Sequence, residues 1–262
     1  VSVRWVSELV LDGELMFRIG RADDELVAEW PYLCELRSDR RGEQVRFVPS
    51  PDGDPRLVAK VRNGLAAALV RHLHGQTTLH ASSVAREGRA VVCLGRSGAG
   101  KSTLAAYLSR VRALHLLSDD VVAIELREDA VLAVPTEKEH WLEAGALAAL
   151  GVATEQTGGK APLVAERVAS APSVIAAAFA LALDAEVPAP VTRRLRGREA
   201  VAVVVPCLVR FVLDEPEEHI RELALVAELL GRVPLYELRA PRDFRALPAT
   251  ATIVEDALAR RG

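Results

Sequence analysis

Up to about Pro51, short apolar runs alternate with the turn signals "LDGEL", "RSDRRGEQ" and "PSPDGDP", a pattern that predicts a small, mostly β module. "LVAKVRNGLAAALVRHLHG" (Leu57 to Gly75) then carries apolar residues at helical spacing and closes on a glycine suited to a C-cap. The division expected is therefore 1–75, a β-rich module with a closing helix, and 76–262, a larger α/β domain.

In the larger domain "TTLHASSVAREGRAVVCL" predicts a β-hairpin turning at Glu87-Gly88. "STLAAYLSRV" has helical spacing, and "ALHLLSDDVVAIEL" is the next strand candidate. "SVIAAAFALAL" and "AVVVPCLVRFVL" are long apolar runs of the kind found in sheets covered on both faces, although the first would also suit a buried helix. Helices are predicted over Glu137 to Gly151 and Glu218 to Gly231.

One junction between these elements carries chemistry. The apolar run "RAVVCL" leads into Gly95-x-x-x-x-Gly100-Lys101-Ser102 and then into a helical pattern, which is the P-loop spacing in its proper strand, loop and helix setting. Bare backbone N–H groups in such a loop wrap a phosphate chain, the helix dipole favours negative charge, and the lysine adds a mobile cation. Gly95, Arg96, Ser97, Gly98, Ala99, Gly100, Lys101, Ser102 and Thr103 are thus the expected binding residues for a nucleoside triphosphate, with the Ser102 hydroxyl placed to ligate Mg²⁺.

Composition narrows the partners. The 262 residues are 50% apolar and 26% charged, ordinary for a globular protein, and the formal net charge of −3 offers no basic footprint for nucleic acid or an anionic membrane. No stretch has about 18 uninterrupted apolar residues, and the first residues are too acidic for a signal peptide, so a cytoplasmic location is expected. Cys34, Cys93 and Cys207 are widely spaced and read as buried reduced thiols, not as a disulfide framework or a zinc site.

Three further features surround the loop. "LHLLSDDVV" places Asp119 and Asp120 at the end of an apolar strand about twenty residues past Lys101, where a P-loop fold brings carboxylates to the metal. Neighbouring strand residues point to opposite faces, so both serve one site only where the strand ends and bends; one would hold Mg²⁺ and the other accept a proton from an attacking hydroxyl. Spacing alone leaves the two roles exchangeable. His80, in "LHASSV", lies on a strand just before the P-loop strand, where hairpin pairing would bring it near the phosphates. Lys160 lies in the polar loop "TEQTGGKAP" (Thr154 to Pro162), able to close over a nucleotide and bring a cation to the transferring group, and equally readable as an exposed linker. Trp5, Trp30 and Trp141 read as core or interface anchors, and the arginines of "TRRLRGRE" (Arg193 to Arg198) as a solvated charged turn or a site for an acidic substrate.

Together, "LHASSVAREGRAVVCLGRSGAGKSTLAAYLSRVRALHLLSDDVV" resembles the catalytic core of the HPr kinase/phosphorylase family, particularly its short relatives, among them kinases of lasso-peptide precursors. The resemblance is firm over about His80 to Val122 and looser near the C-terminus. It implies a P-loop kinase core of the type shared with phosphoenolpyruvate carboxykinases, ATP and Mg²⁺ as cofactors, and a serine hydroxyl of a peptide or small protein as acceptor. Carried over by position, Asp119 helps hold the metal, Asp120 is the general base and His80 lines the site. Family enzymes often form oligomers, which adds a homo-oligomer to what the resemblance implies. Two other readings fit the same residues: a kinase for a small hydroxylated metabolite, and a nucleotide-binding regulatory module without transfer chemistry.

Overall fold

The computed structural model describes residues 2–154, 159–211 and 216–260, the side chains of 216–218 excepted. The chain forms two compact units, Val1–Thr78 with Val209–Leu223, and Leu79–Leu208 with Ala224–Gly262.

In the first unit, β1 (Arg4–Leu11), β2 (Glu14–Ala22), β3 (Glu25–Trp30), β4 (Cys34–Asp39) and β5 (Val45–Pro49) form an antiparallel meander in sequential order. Asp12 and Gly13 turn between the first two strands at φ 52° and 84°, the left-handed geometry that matches strand twist. The "PSPDGDP" signal leads into a helix and not into another strand: Asp54 caps α1 (Pro55–Val61) by accepting from the N–H groups of Arg56 and Leu57. A π turn over Arg62–Ala66 joins it to α2 (Ala67–Leu73).

The second unit is built on a nine-stranded sheet. It contains β6 (Thr78–His80), β7 (Ser82–Arg86), β8 (Arg89–Leu94), β9 (His115–Ser118), β10 (Val121–Leu126), β11 (Val131–Val134) and β14 (Ser173–Leu183) in the order β6-β10-β11-β14-β8-β7-β9. β12 (Glu139–Glu143) and β13 (Lys160–Val164) make a separate ribbon. β15 (Val191–Leu195) pairs with β16 (Leu235–Ala240), which runs parallel to β14, as does β8.

Alternate residues of the central strands feed two cores. Ala90, Val92 and Leu94 with Ile175 and Ala178 face one side, where α5 (Gly197–Val204) and α6 (Pro216–Arg232) supply Val204, Val226 and Leu229. Val91 and Cys93 with Ala177 and Phe179 face the other, covered by Leu104 and Leu108 of α3 (Lys101–Arg110) and Val254 and Leu258 of α7 (Leu247–Ala259). This two-sided burial explains the unbroken apolar run of β14, which is a strand. All three cysteines are free and buried, and among the described residues no helix is long and apolar enough to cross a membrane.

Two segments differ from the expectation. "AVVVPCLVRFVL" begins as the end of α5 and a 3₁₀ turn over Val205–Cys207 instead of a strand: Ala200 and Val204, four apart, are buried while Val201 is 40% exposed, a helical period. Conversely, Glu137 to Gly151 opens as β12, where His140 and Leu142 are buried between more exposed neighbours, and becomes helical only in α4 (Ala144–Ala149).

Gly20 of β2 faces β1 at a register shift between Trp5 and Ser7, and a Cβ there would lie 2.5 Å from the Arg4 carbonyl oxygen. Gly20→Ala is expected to cost about 1–3 kcal/mol through this overlap, read as a lowered urea midpoint. An unchanged midpoint would mean that β1 yields without cost.

Candidate active site

β8 ends at Leu94, and the chain turns through Gly95, Gly98 and Gly100 at φ 144°, 79° and 89° before α3 begins. These are conformations that side chains with a Cβ rarely adopt. At Gly95 space is limiting too, since a Cβ would sit 3.0 Å from both the Leu181 carbonyl oxygen of β14 and the Ala99 Cβ. Gly100, the N-cap of α3, offers no side-chain acceptor to the first turn, whose N–H groups are left for an anion.

Lys101 is the first helical residue and is buried. Its Nζ donates to the Gly95 carbonyl at 2.8 Å and the Arg96 carbonyl at 3.1 Å, and lies 3.2 Å from His80 Nε2. Burial pushes this ammonium below the usual lysine range and Lys160 adds to the fall, while Cys207, Asp120 and Asp119 pull it back up. With an ammonium donating to Nε2, the His80 proton resides on Nδ1, 3.0 Å from Asp120 Oδ1. Lysine, histidine and aspartate thus form one chain of contacts.

The aspartate doublet falls in the break between β9 and β10. The Asp119 side chain is 2% exposed: Oδ1 accepts from the Ser82 hydroxyl at 2.8 Å and Oδ2 from the Trp141 N–H at 3.2 Å. Asp120 is 36% exposed at its side chain and reaches the cavity beside His80.

Glu137 holds this break. Its Oε2 accepts from the N–H groups of Asp119 (2.6 Å) and Asp120 (2.8 Å) and from the Ser118 hydroxyl (2.9 Å). Burial raises its carboxyl from 4.5 to about 7, against the lowering effect of the Asp119 and Ser118 bonds; the charges of Asp120 and Asp119 add to the rise. Behind Asp119 lies buried His140, with Nε2 3.0 Å from the Ser109 hydroxyl and Nδ1 3.5 Å from Asp119 Oδ2.

His80, Lys101, Asp119, Asp120 and Trp141 border one cavity of about 320 Å³, with Glu137 and His140 behind them. Ser97 to Thr103 line it; Gly95 and Arg96 contribute the carbonyls that hold Lys101 instead. Lys160 also lines it, but as the exposed first residue of β13 opposite Glu143, not as a loop residue; 155–158, the middle of the expected loop, lie outside the described residues. Ser102 is partly exposed at the helix start. Sequence reading missed Glu137, His140 and Phe244, and took Trp141, which lines the cavity, for an anchor.

No family model and no curated protein sequence matches this chain. Among solved structures it is similar to the Hpr(Ser) kinase/phosphatase from Coxiella burnetii, at 12% identity and a TM-score of 0.39, over 69% of this chain and 96% of that one. A likeness of that size decides neither family nor activity.

The raised Glu137 carboxyl has a pH consequence. A carboxyl whose folded pKa (about 7) exceeds its unfolded value contributes stability in full below about 4.5, and this is lost as pH rises through 7. Without divalent cations, the protein is expected to lose stability relative to its Glu137→Gln variant between pH 4.5 and 7.5 in denaturant titrations. Parallel curves across that window would show that Glu137 titrates as an ordinary carboxyl.

Proposed function

We propose that the protein is an ATP-dependent phosphotransferase of the HPr kinase-like type that phosphorylates a serine hydroxyl of a peptide or small protein. The observation carrying this reading is the meeting, in one cavity, of a glycine loop with its lysine and a partly exposed carboxylate, Asp120, joined to that lysine through His80. Anion cradle and proton acceptor are the two parts that phosphoryl transfer to an alcohol requires.

The donor set fits a hard cation. Ser102 and Asp119 offer oxygen ligands, and among the described residues no group of three or more His, Cys, Asp or Glu side chains would hold a metal alone, in keeping with an ion shared with substrate phosphates. Mg²⁺ bound by Ser102 and Asp119 would offset charge on the β- and γ-phosphates.

The chain's own residues divide the remaining work. Backbone N–H groups of the loop and the α3 terminus orient the triphosphate. Lys101 exchanges its carbonyl partners for phosphate oxygens and offsets charge developing on the β–γ bridge. Asp120, solvent-accessible and oriented by His80 Nδ1–H, accepts the proton of the attacking hydroxyl. Asp119, with Ser82 and Trp141 N–H already donating to it, is the fixed carboxylate suited to metal. Lys160 reaches the transferring phosphoryl group from β13.

The reading is tested with γ-labelled ATP, Mg²⁺ and serine-bearing peptides encoded beside the gene, followed by mass spectrometry. One phosphate on a serine is expected, with Asp120→Asn lowering transfer on the order of 10²- to 10⁴-fold while ATP affinity stays within about threefold. Label appearing only on small hydroxylated metabolites would replace the peptide acceptor; ATP binding without transfer to any acceptor would leave a regulatory nucleotide-binding module. Lys101→Ala is expected to weaken ATP binding roughly 10- to 100-fold in calorimetry, and an unchanged affinity would remove the loop from the binding site.

A further inference from the structure

The cavity is chemically divided, and the division follows the order of the strands. Across the sheet the order runs β9, β7, β8, β14, β16. Asp119 and Asp120 follow β9, the glycine loop follows β8, and beyond it lie the ends of the two strands parallel to β8. On the first side Asp120, His80 and Lys101 are joined by contacts of 3.0 and 3.2 Å. On the second, Leu181 and Leu183 from β14, Ala240 and Pro241 from the end of β16, and Phe244 from the turn after it line the cavity, with Arg242 and Asp243 between the last two.

Leu183 and Phe244 are large apolar side chains left 40% and 48% exposed. Each stands beside a glycine: a Cβ on Gly100 would lie 3.8 Å from a Leu183 methyl, and one on Gly145 of α4 would lie 3.7 Å from Phe244 Cε2. Phe244 is also fixed from its own backbone, because Asp243 accepts from the Arg245 N–H at 2.9 Å and caps the 3₁₀ turn that carries it. A nearly half-exposed ring, seated on a capped turn at the rim of the cavity, offers a face on which a flat group can stack.

We infer that Leu183 and Phe244 form the subsite for the base of the bound nucleotide, with the Phe244 ring as its stacking platform. The inference rests on the nucleotide-binding reading above. A triphosphate cradled by the loop after β8 with its terminal phosphate toward Asp120 must send its nucleoside the other way, past Gly100 and toward the ends of β14 and β16. The acceptor hydroxyl must approach Asp120, on the far side of the loop, which leaves the end carrying Leu183 and Phe244 to the base.

Calorimetric titration of the full chain with MgATP and with magnesium tripolyphosphate separates base from phosphate contacts. ATP is expected to bind at least about tenfold more tightly than tripolyphosphate, because stacking of a base on an aromatic ring contributes roughly that much or more. Phe244→Ala should weaken ATP on the order of 10-fold and leave tripolyphosphate unchanged, and Phe244→Tyr, which keeps the ring, should restore ATP affinity. Equal binding of the two ligands by the unmodified protein, or equal weakening of both by Phe244→Ala, would overturn the base subsite. If neither ligand binds the unmodified protein, the phosphate-cradle reading falls and the subsite with it.

Discussion

Two consecutive residues of a strand cannot serve one cavity, because their side chains leave on opposite faces. The arrangement of this site follows from how that constraint is met at Asp119 and Asp120. The strand stops at Ser118 and restarts at Val121, and the break exposes two main-chain N–H groups, which Glu137 receives on a single carboxylate oxygen. With the bend held, Asp119 turns inward among Ser82, Trp141 and His140 while Asp120 turns outward to His80. One carboxylate becomes rigid and nearly dry, the other accessible.

The sheet collects the remaining parts. β8, β14 and β16 run parallel, so their carboxyl ends open on the same edge, and the glycine loop, Leu183 and Ala240 arrive there from segments far apart in sequence. Ligands of α/β sheets bind at such edges because the strand ends supply loops free to diverge while the buried strands stay fixed. Here the fixed part is Val91 and Cys93 packed against α3 and α7 on one face, and Val92 and Leu94 against α5 and α6 on the other.

Local pattern made much of this legible. The hairpin at Glu87-Gly88, the strand before the glycine loop, the helix after it and the apolar run of β14 follow from spacings of two and 3.6 residues, which burial on one or both faces imposes directly. Alanine- and valine-rich runs were harder, since small apolar residues suit either element: α5 reads as a strand until the burial of Ala200 and Val204 is known. Glu137 and Phe244 were illegible for a different reason. Their roles depend on distant partners, the break after β9 for one and the cavity rim for the other, and an isolated glutamate or phenylalanine carries no local mark of them. Spacing makes no distinction between Asp119 and Asp120, whereas in the fold their side chains differ, at 2% and 36% exposed.

An ammonium has three protons, and those of Lys101 are matched by three acceptors within the protein: the carbonyls of Gly95 and Arg96 and the Nε2 of His80. The lysine of the glycine loop is therefore self-saturated. An anion bound at this loop would compete with that internal set for the ammonium. The buried ammonium is thus not left unpaired in a low-dielectric interior, where an unmatched charge is costly.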